Sequence, residues 1–145
     1  MATAEQLAML RAMVEGDFDR HKELSDLLRS SGGLDDYGQV IGAASFVAIS
    51  MQFEDQGTYS SDDVIRLVAD TRALFDLDGD TIDPRVAELV VRSALGEENL
   101  LTGVPAAKVV EAQMAISSYL ANEHRLGDPD AFMAEVQTLL AEWAR

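Results

Sequence analysis

The sequence predicts an all-α fold, a compact bundle of five to six helices in a single domain that spans residues 1–145. Apolar residues recur at intervals of three and four along most of the chain, which is the period of an amphipathic helix. No segment shows the sustained alternation that is typical of strands. With 145 residues, of which 48% are hydrophobic, the chain has the length of one domain and enough apolar side chains to fill a core.

The first predicted helix begins near the N-terminus and ends at a glycine-rich stop. Thr3 and Gln6 have the spacing of a capping box, and an apolar stripe then continues to Leu28. Gly16 interrupts this stripe, so a break or a kink is expected there. The Ser-Ser-Gly-Gly sequence at residues 30–33 ends the helix.

The next helix, at about residues 37–53, is predicted to be the centre of the bundle. It is apolar on nearly every side, which is typical of a buried helix. Asp35 or Asp36 caps its start, and residues 54–57 end it. Residues 42–45 form a patch of small side chains that lets another helix approach closely. Two interpretations of this patch remain open, packing inside the core or a dimer interface.

The second half of the chain predicts two helical hairpins, at residues 60–96 and 105–144. One of the two serines at residues 60–61 caps the start of the first hairpin. An Asp-Pro pair at residues 83–84, and another at 128–129, starts the second helix of each hairpin. Aspartate caps a helix, and proline fits the first turn because no N–H is needed there. Apolar pairs align at the 45-residue offset between the two Asp-Pro pairs, so an internal duplication is one interpretation and unrelated amphipathic helices are the other.

The stripes on these helices also predict which side chains are buried. Residues on one face of a helix meet its neighbours, whereas the opposite face meets solvent. The expected core consists of Val40, Ile41, Ala44, Val47, Ile49, Met51, Val68, Leu89, Ile116, Leu120, Val136, Leu139 and Trp143.

Acidity is the main signal in the composition. The net charge is −15, from 26 acidic and 11 basic residues. Binding to nucleic acid needs a basic face, so no nucleic-acid partner is expected. About half of the charge, −8, lies in residues 52–99, mostly at helix starts and in loops. An acidic surface for a basic protein partner is one interpretation, and solubility together with stabilisation of helix N-termini is the other.

One acidic loop resembles the opening of an EF-hand calcium loop. Asp76, Asp78 and Asp80 alternate between two predicted helices, and such carboxylates converge on a cation that takes six to eight oxygen ligands. Thr81 stands where the motif has glycine, and Ala87 stands at the twelfth position, where the motif has glutamate. A calcium site on the three aspartates and a solvated acidic linker are the two interpretations.

The two histidines are further candidates for metal binding or catalysis. Asp17 and His21 lie one helical turn apart, which suits two ligands of a transition metal, but such a pair is more often a salt bridge or a hydrogen bond. His124 lies at a helix end, where the helix dipole favours a cation. The chain has no cysteine and no motif for a serine nucleophile, so a non-catalytic protein is favoured.

No segment of the sequence predicts export or membrane insertion. Glu5 and Arg11 do not fit a signal peptide. The most apolar stretch, residues 40–51, is shorter than the roughly 20 residues needed to span a bilayer. A soluble protein in the cytoplasm is therefore expected, with no membrane partner.

Together these features predict a non-catalytic interaction or regulatory protein with an acidic surface and no cofactor. Its expected partner is a protein, with a second copy of the chain, as a homodimer, among the candidates. A calcium-binding module built on the acidic loop is the first alternative. A helical bundle that binds a small molecule is the second.

Overall fold

Seven α-helices occur in the part of the chain that the computed structural model describes, which is residues 2–33, 36–53, 59–76 and 78–144. These residues contain no strand, which confirms the all-α prediction. The predicted cap at Asp35 and the predicted helix end at residues 54–57 lie outside the described residues. In chain order the helices are α1 (Ala4–Val14), α2 (Phe18–Arg29), α3 (Tyr37–Phe53), α4 (Ser61–Phe75), α5 (Pro84–Ala94), α6 (Ala106–Asn122) and α7 (Pro129–Trp143).

The number of helices exceeds the prediction of five to six because a break divides the first apolar stripe between α1 and α2. Gly16 adopts a φ of 78°, a conformation that glycine reaches without the penalty of a Cβ. Asp17 follows and accepts a hydrogen bond from the backbone N–H of Arg20, which caps the start of α2. The apolar period continues through this break, so the sequence pattern did not distinguish a break from a kink.

Side-chain caps confirm four of the predicted helix starts. Thr3 at α1 and Ser60 at α4 each form a reciprocal capping box with the third residue of the helix. The side chains of Asp83 at α5 and Asp128 at α7 accept hydrogen bonds from backbone N–H groups of a first turn that contains proline. A cap of this kind is worth about 1 kcal/mol, and it depends only on neighbouring residues.

Two helices occupy the middle of the bundle rather than one. α3 packs against α1, α5, α6 and α7, and α6 packs against α1, α3, α4 and α5. α3 and α6 run in the same direction, since Gly38 faces Val110 and Gly42 faces Gln113. Residues 43–45 are buried within the chain, which fits the core interpretation of the small-residue patch. Among the described helices, α2 packs its backbone closely against α1 alone.

Only the first of the two predicted hairpins packs as a hairpin. α4 and α5 lie against each other, whereas α6 and α7 have no close backbone contact in the described part of the chain. The prediction of a hairpin at residues 105–144 is therefore wrong. Both helices pack on α3 instead, whose apolar surface can be buried on more than one side.

Most of the expected core is buried, and Trp143 is the clear exception. Nine of the thirteen expected side chains are buried, and Met51, Leu89 and Leu139 are partly exposed. Trp143 is 50% exposed. It lies in the last turn of α7, and its ring rests near Gly42 of α3. The apolar stripe of α7 thus extends onto the surface of the bundle.

Candidate functional site

An apolar groove runs between α3 and α7 and is the candidate site. Its volume is about 350 Å³. We call it the α3/α7 groove, and its lining residues are Phe46, Val47, Ala134, Glu135, Thr138, Leu139 and Glu142.

The groove lies along a strip of α3 that its neighbours cover only in part. Gly42, Phe46 and Ser50 follow each other at intervals of four, so they lie on one side of the helix. Phe46 is 41% exposed. A Cβ added to Gly42 would lie 3.8 Å from the ring of Trp143 and 3.9 Å from the side-chain nitrogen of Gln113. The strip is therefore narrow at Gly42 and open at Phe46.

Sequence reasoning missed this groove. It placed the helix that contains Phe46 entirely inside the bundle and assigned Trp143 to the core. The helical period shows that α3 is apolar on all sides, but not whether every side has a neighbour. The one signal in the sequence for an open side of α3 was the number of helices, because a helix is fully covered only if a neighbour packs on each of its sides.

Among the described residues, the charged side chains at the edges of the groove are all acidic. α3 has no charged residue, and α7 has acidic residues but no basic one. Arg11 contacts Asp130 of α7 at 2.6 Å, which occupies that carboxylate. Glu135 and Glu142 are exposed and form no ion pair with a described residue. A partner thus meets two exposed carboxylates beside an apolar floor.

Asp76, the first aspartate of the acidic loop, points inward. Its side chain is buried, with Oδ1 3.0 Å from the backbone nitrogen of Thr81 and Oδ2 2.8 Å from that of Ile82. These N–H groups, that of Ile82 first, hold the pKa of Asp76 below its ordinary value, and the Arg72 guanidinium contributes further. Asp76 therefore anchors the connection between α4 and α5 in its ionised form.

The side chains of the other two aspartates of the loop are not buried beside that of Asp76. Asp78 and Asp80 are exposed, whereas Asp76 is buried. Within the described residues, no group of three His, Cys, Asp or Glu side chains is arranged to hold a metal ion. Calcium binding by these three aspartates stays a prediction.

The two histidines lie in unrelated surroundings. Burial lowers the pKa of His21, and its Nε2 atom has no hydrogen-bond partner among the described residues. The side chain of Asp17 caps α2, as described above. Its backbone oxygen accepts a hydrogen bond from the backbone N–H of His21. His124 lies just beyond α6 with a φ of 57°, and it lines a surface cleft of about 410 Å³ near the start of α7.

A polar cluster that the sequence did not predict connects the segment after α5 to Tyr59, which lies just before α4. Glu97 receives two hydrogen bonds from Arg92, from Nη2 at 2.6 Å and from Nε at 2.9 Å. The Tyr59 hydroxyl donates a third bond, at 2.5 Å. The Arg92 guanidinium, followed by the Tyr59 hydroxyl, lowers the pKa of Glu97 to about 2. This cluster joins residues 38 positions apart in the chain.

This cluster makes part of the stability depend on pH. The folded pKa of Glu97, about 2, lies below the ordinary value of 4.5, so its contribution is complete above pH 4.5 and is lost as the pH falls toward 2. We expect Glu97→Gln to lower the melting midpoint at neutral pH and the difference from wild type to shrink across this window. Thermal melts followed by circular dichroism between pH 7 and pH 2 measure this.

Glu98→Gln is the matched control for Glu97→Gln, because it makes the same charge change at the adjacent, exposed residue. It is expected to leave the melting midpoint close to that of wild type throughout. If the two variants lowered the midpoint equally, the contacts of Glu97 with Arg92 and Tyr59 would have no special role.

Comparison of the chain with protein-family models, with curated proteins and with solved structures finds no match. None of the described helices is both long enough and apolar enough to cross a membrane. The fold and the groove define the class of this protein as an acidic helical bundle with an open apolar groove.

Proposed function

We propose that this protein is a non-catalytic interaction protein of the cytoplasm and that its α3/α7 groove receives an apolar segment of a protein partner. The observation that carries the proposal is the exposure of two aromatic side chains, Phe46 and Trp143, on the same face of the bundle. Aromatic side chains are the usual anchors of protein interfaces, where a few residues provide most of the binding energy.

The dimensions of the groove suit a helix. Its wall on α7 runs from Ala134 to Glu142, which is about 12 Å at the rise of an α-helix. Slightly more than two turns of a partner helix cover that length. An amphipathic helix lying in an apolar groove is a recurrent mode of recognition, in which residues at intervals of three and four serve as anchors.

Charge argues against a second copy of the chain as the occupant. A symmetric dimer through this face would bring Glu135 and Glu142 of each copy toward a molecule with a net charge of −15. Like charges that face each other across an interface lower its stability. The proposal therefore favours a different protein over the homodimer.

Phe46→Ala is expected to weaken docking of an apolar helix by at least about tenfold, in the range of an interface anchor. The probe is a cross-linked helical peptide of about 14 residues, since shorter helices are marginal in water. It has leucine at intervals of three and four, glutamine elsewhere and no tryptophan. Trp143 is the only tryptophan of the chain and lies beside the groove, so a blue shift of its emission reports docking.

Ile65→Ala serves as the control for Phe46→Ala. Ile65 is also exposed, at 52%, but it lies on α4, away from the groove. This variant is expected to bind the peptide like wild type. If the peptide caused no shift in wild type, or if both variants bound it equally, the α3/α7 groove would not be a docking site.

A further inference from the structure

We infer that the segment bound in the α3/α7 groove is a cationic amphipathic helix, with lysine or arginine side chains that pair with Glu135 and Glu142. This inference rests on the proposed function and names the chemistry of the partner. It follows from the position of the two carboxylates, from the absence of competing cations on the groove helices, and from the charge of the whole chain.

The two carboxylates lie at a spacing that a helix matches. Glu135 and Glu142 are seven residues apart on α7, or about 10.5 Å along its axis, so they lie on the same side of the helix. Leu139 lies between them in the lining of the groove. A partner helix with an apolar stripe and two cations two turns apart places one cation beside each carboxylate.

Among the described residues, the basic side chains close to the start of α7 and the end of α3 have other partners. Arg11 contacts both Glu15 and Asp130, at 3.3 Å and 2.6 Å. Arg125 stacks over the ring of Tyr119, 5.5 Å from its centroid. α3 and α7 contain no basic residue of their own. Within the described part of the chain, the two glutamates are therefore available to a partner.

The charge of the chain extends this preference beyond the groove. At −15, the molecule attracts a cationic segment during approach and repels an anionic one. Exposed ion pairs add little affinity, so the carboxylates select the partner while Phe46 and its neighbours hold it. The preference should accordingly weaken as salt screens the charges.

Three cross-linked helical peptides with the same leucine stripe test this inference. They carry lysine, glutamine or glutamate at two positions seven residues apart beside the stripe, and Trp143 emission measures their binding. At low salt we expect the lysine peptide to bind at least about tenfold tighter than the glutamate peptide. The difference should decrease toward 1 M salt, where the Debye length is about 3 Å.

Two double variants separate pairing in the groove from attraction by the whole molecule. Glu135→Gln with Glu142→Gln is expected to remove most of the preference for lysine. Asp19→Asn with Asp26→Asn makes the same charge change on exposed residues of α2 and is expected to retain it. Both pairs alter exposed side chains, and thermal melts verify that each variant folds.

The outcomes distinguish this inference from the proposed function. If the glutamine peptide binds as tightly as the lysine peptide, or if both double variants reduce the preference equally, the cationic partner is wrong while groove docking remains. If none of the three peptides shifts the emission, the proposed function fails with it. A dimer found by sedimentation and broken by Phe46→Ala would assign the groove to a second copy and overturn the inference.

Discussion

Replacing Ile116 with alanine is expected to reduce the free energy of unfolding by about 2–5 kcal/mol. Ile116 is fully buried in α6, which packs against four other helices. The lost methyl and methylene groups would leave a cavity that helices held on several sides fill only in part. Since domains of this size have a total stability of about 5–15 kcal/mol, the loss is large.

The control for Ile116→Ala is the same substitution at Ile65. Both residues lie in helices, so the change in helix propensity is matched, but Ile65 is half exposed. We expect its loss to be about 0.5 kcal/mol or less. Urea unfolding followed by circular dichroism measures both values. The comparison requires that the free energy of unfolding falls with urea concentration at the same slope in each protein. Similar losses at the two positions would contradict the assignment of α6 to the centre of the bundle.

Asp76→Ala is expected to lower the melting midpoint far more than Asp78→Ala or Asp80→Ala. The side chain of Asp76 accepts hydrogen bonds from the backbone N–H groups of Thr81 and Ile82, and the bond to Ile82 is buried. Removing the carboxylate leaves these donors without that acceptor, whereas the other two aspartates are exposed. Thermal melts of the three variants at neutral pH measure the difference.

The difference in melting midpoint between wild type and Asp76→Ala is expected to decrease as the pH falls. The backbone N–H of Ile82, followed by that of Thr81, lowers the pKa of Asp76 below its ordinary value of 3.8. The stabilisation is therefore complete above pH 3.8 and is lost as the pH falls through the lowered pKa. The midpoint of wild type should approach that of Asp76→Ala in strong acid. A difference that persisted unchanged at low pH would contradict a role for the ionised carboxylate.

The same variants test the calcium-site prediction. A cation bound only by the folded state raises the melting midpoint, so a site on Asp76, Asp78 and Asp80 would show as a rise with millimolar calcium that Asp78→Ala abolishes. Because Asp76 is directed to backbone N–H groups, we expect no rise in wild type. A rise that is specific to wild type would establish the calcium-binding alternative.

Features that depend on neighbouring residues could be predicted from the sequence. The all-α class follows from the apolar period, and the starts of α1, α4, α5 and α7 follow from caps. A cap joins residues two or three positions apart, so its geometry is largely determined by the local chain. The acidic loop was also found from sequence. The inward orientation of Asp76 was not, since its hydrogen-bond partners, Thr81 and Ile82, lie five and six residues further along an irregular segment.

Features that join distant parts of the chain depended on the packing of the helices. The contact between Tyr59 and Glu97 spans 38 positions, and no local pattern marks it. The α3/α7 groove lies where α7 packs on α3 and leaves Phe46 exposed. A hydrophobic stripe identifies a face that can be buried, but burial requires a neighbour. For that reason the periodicity of this chain identified its helices, while the exposure of Phe46 and Trp143 depended on where the other helices packed.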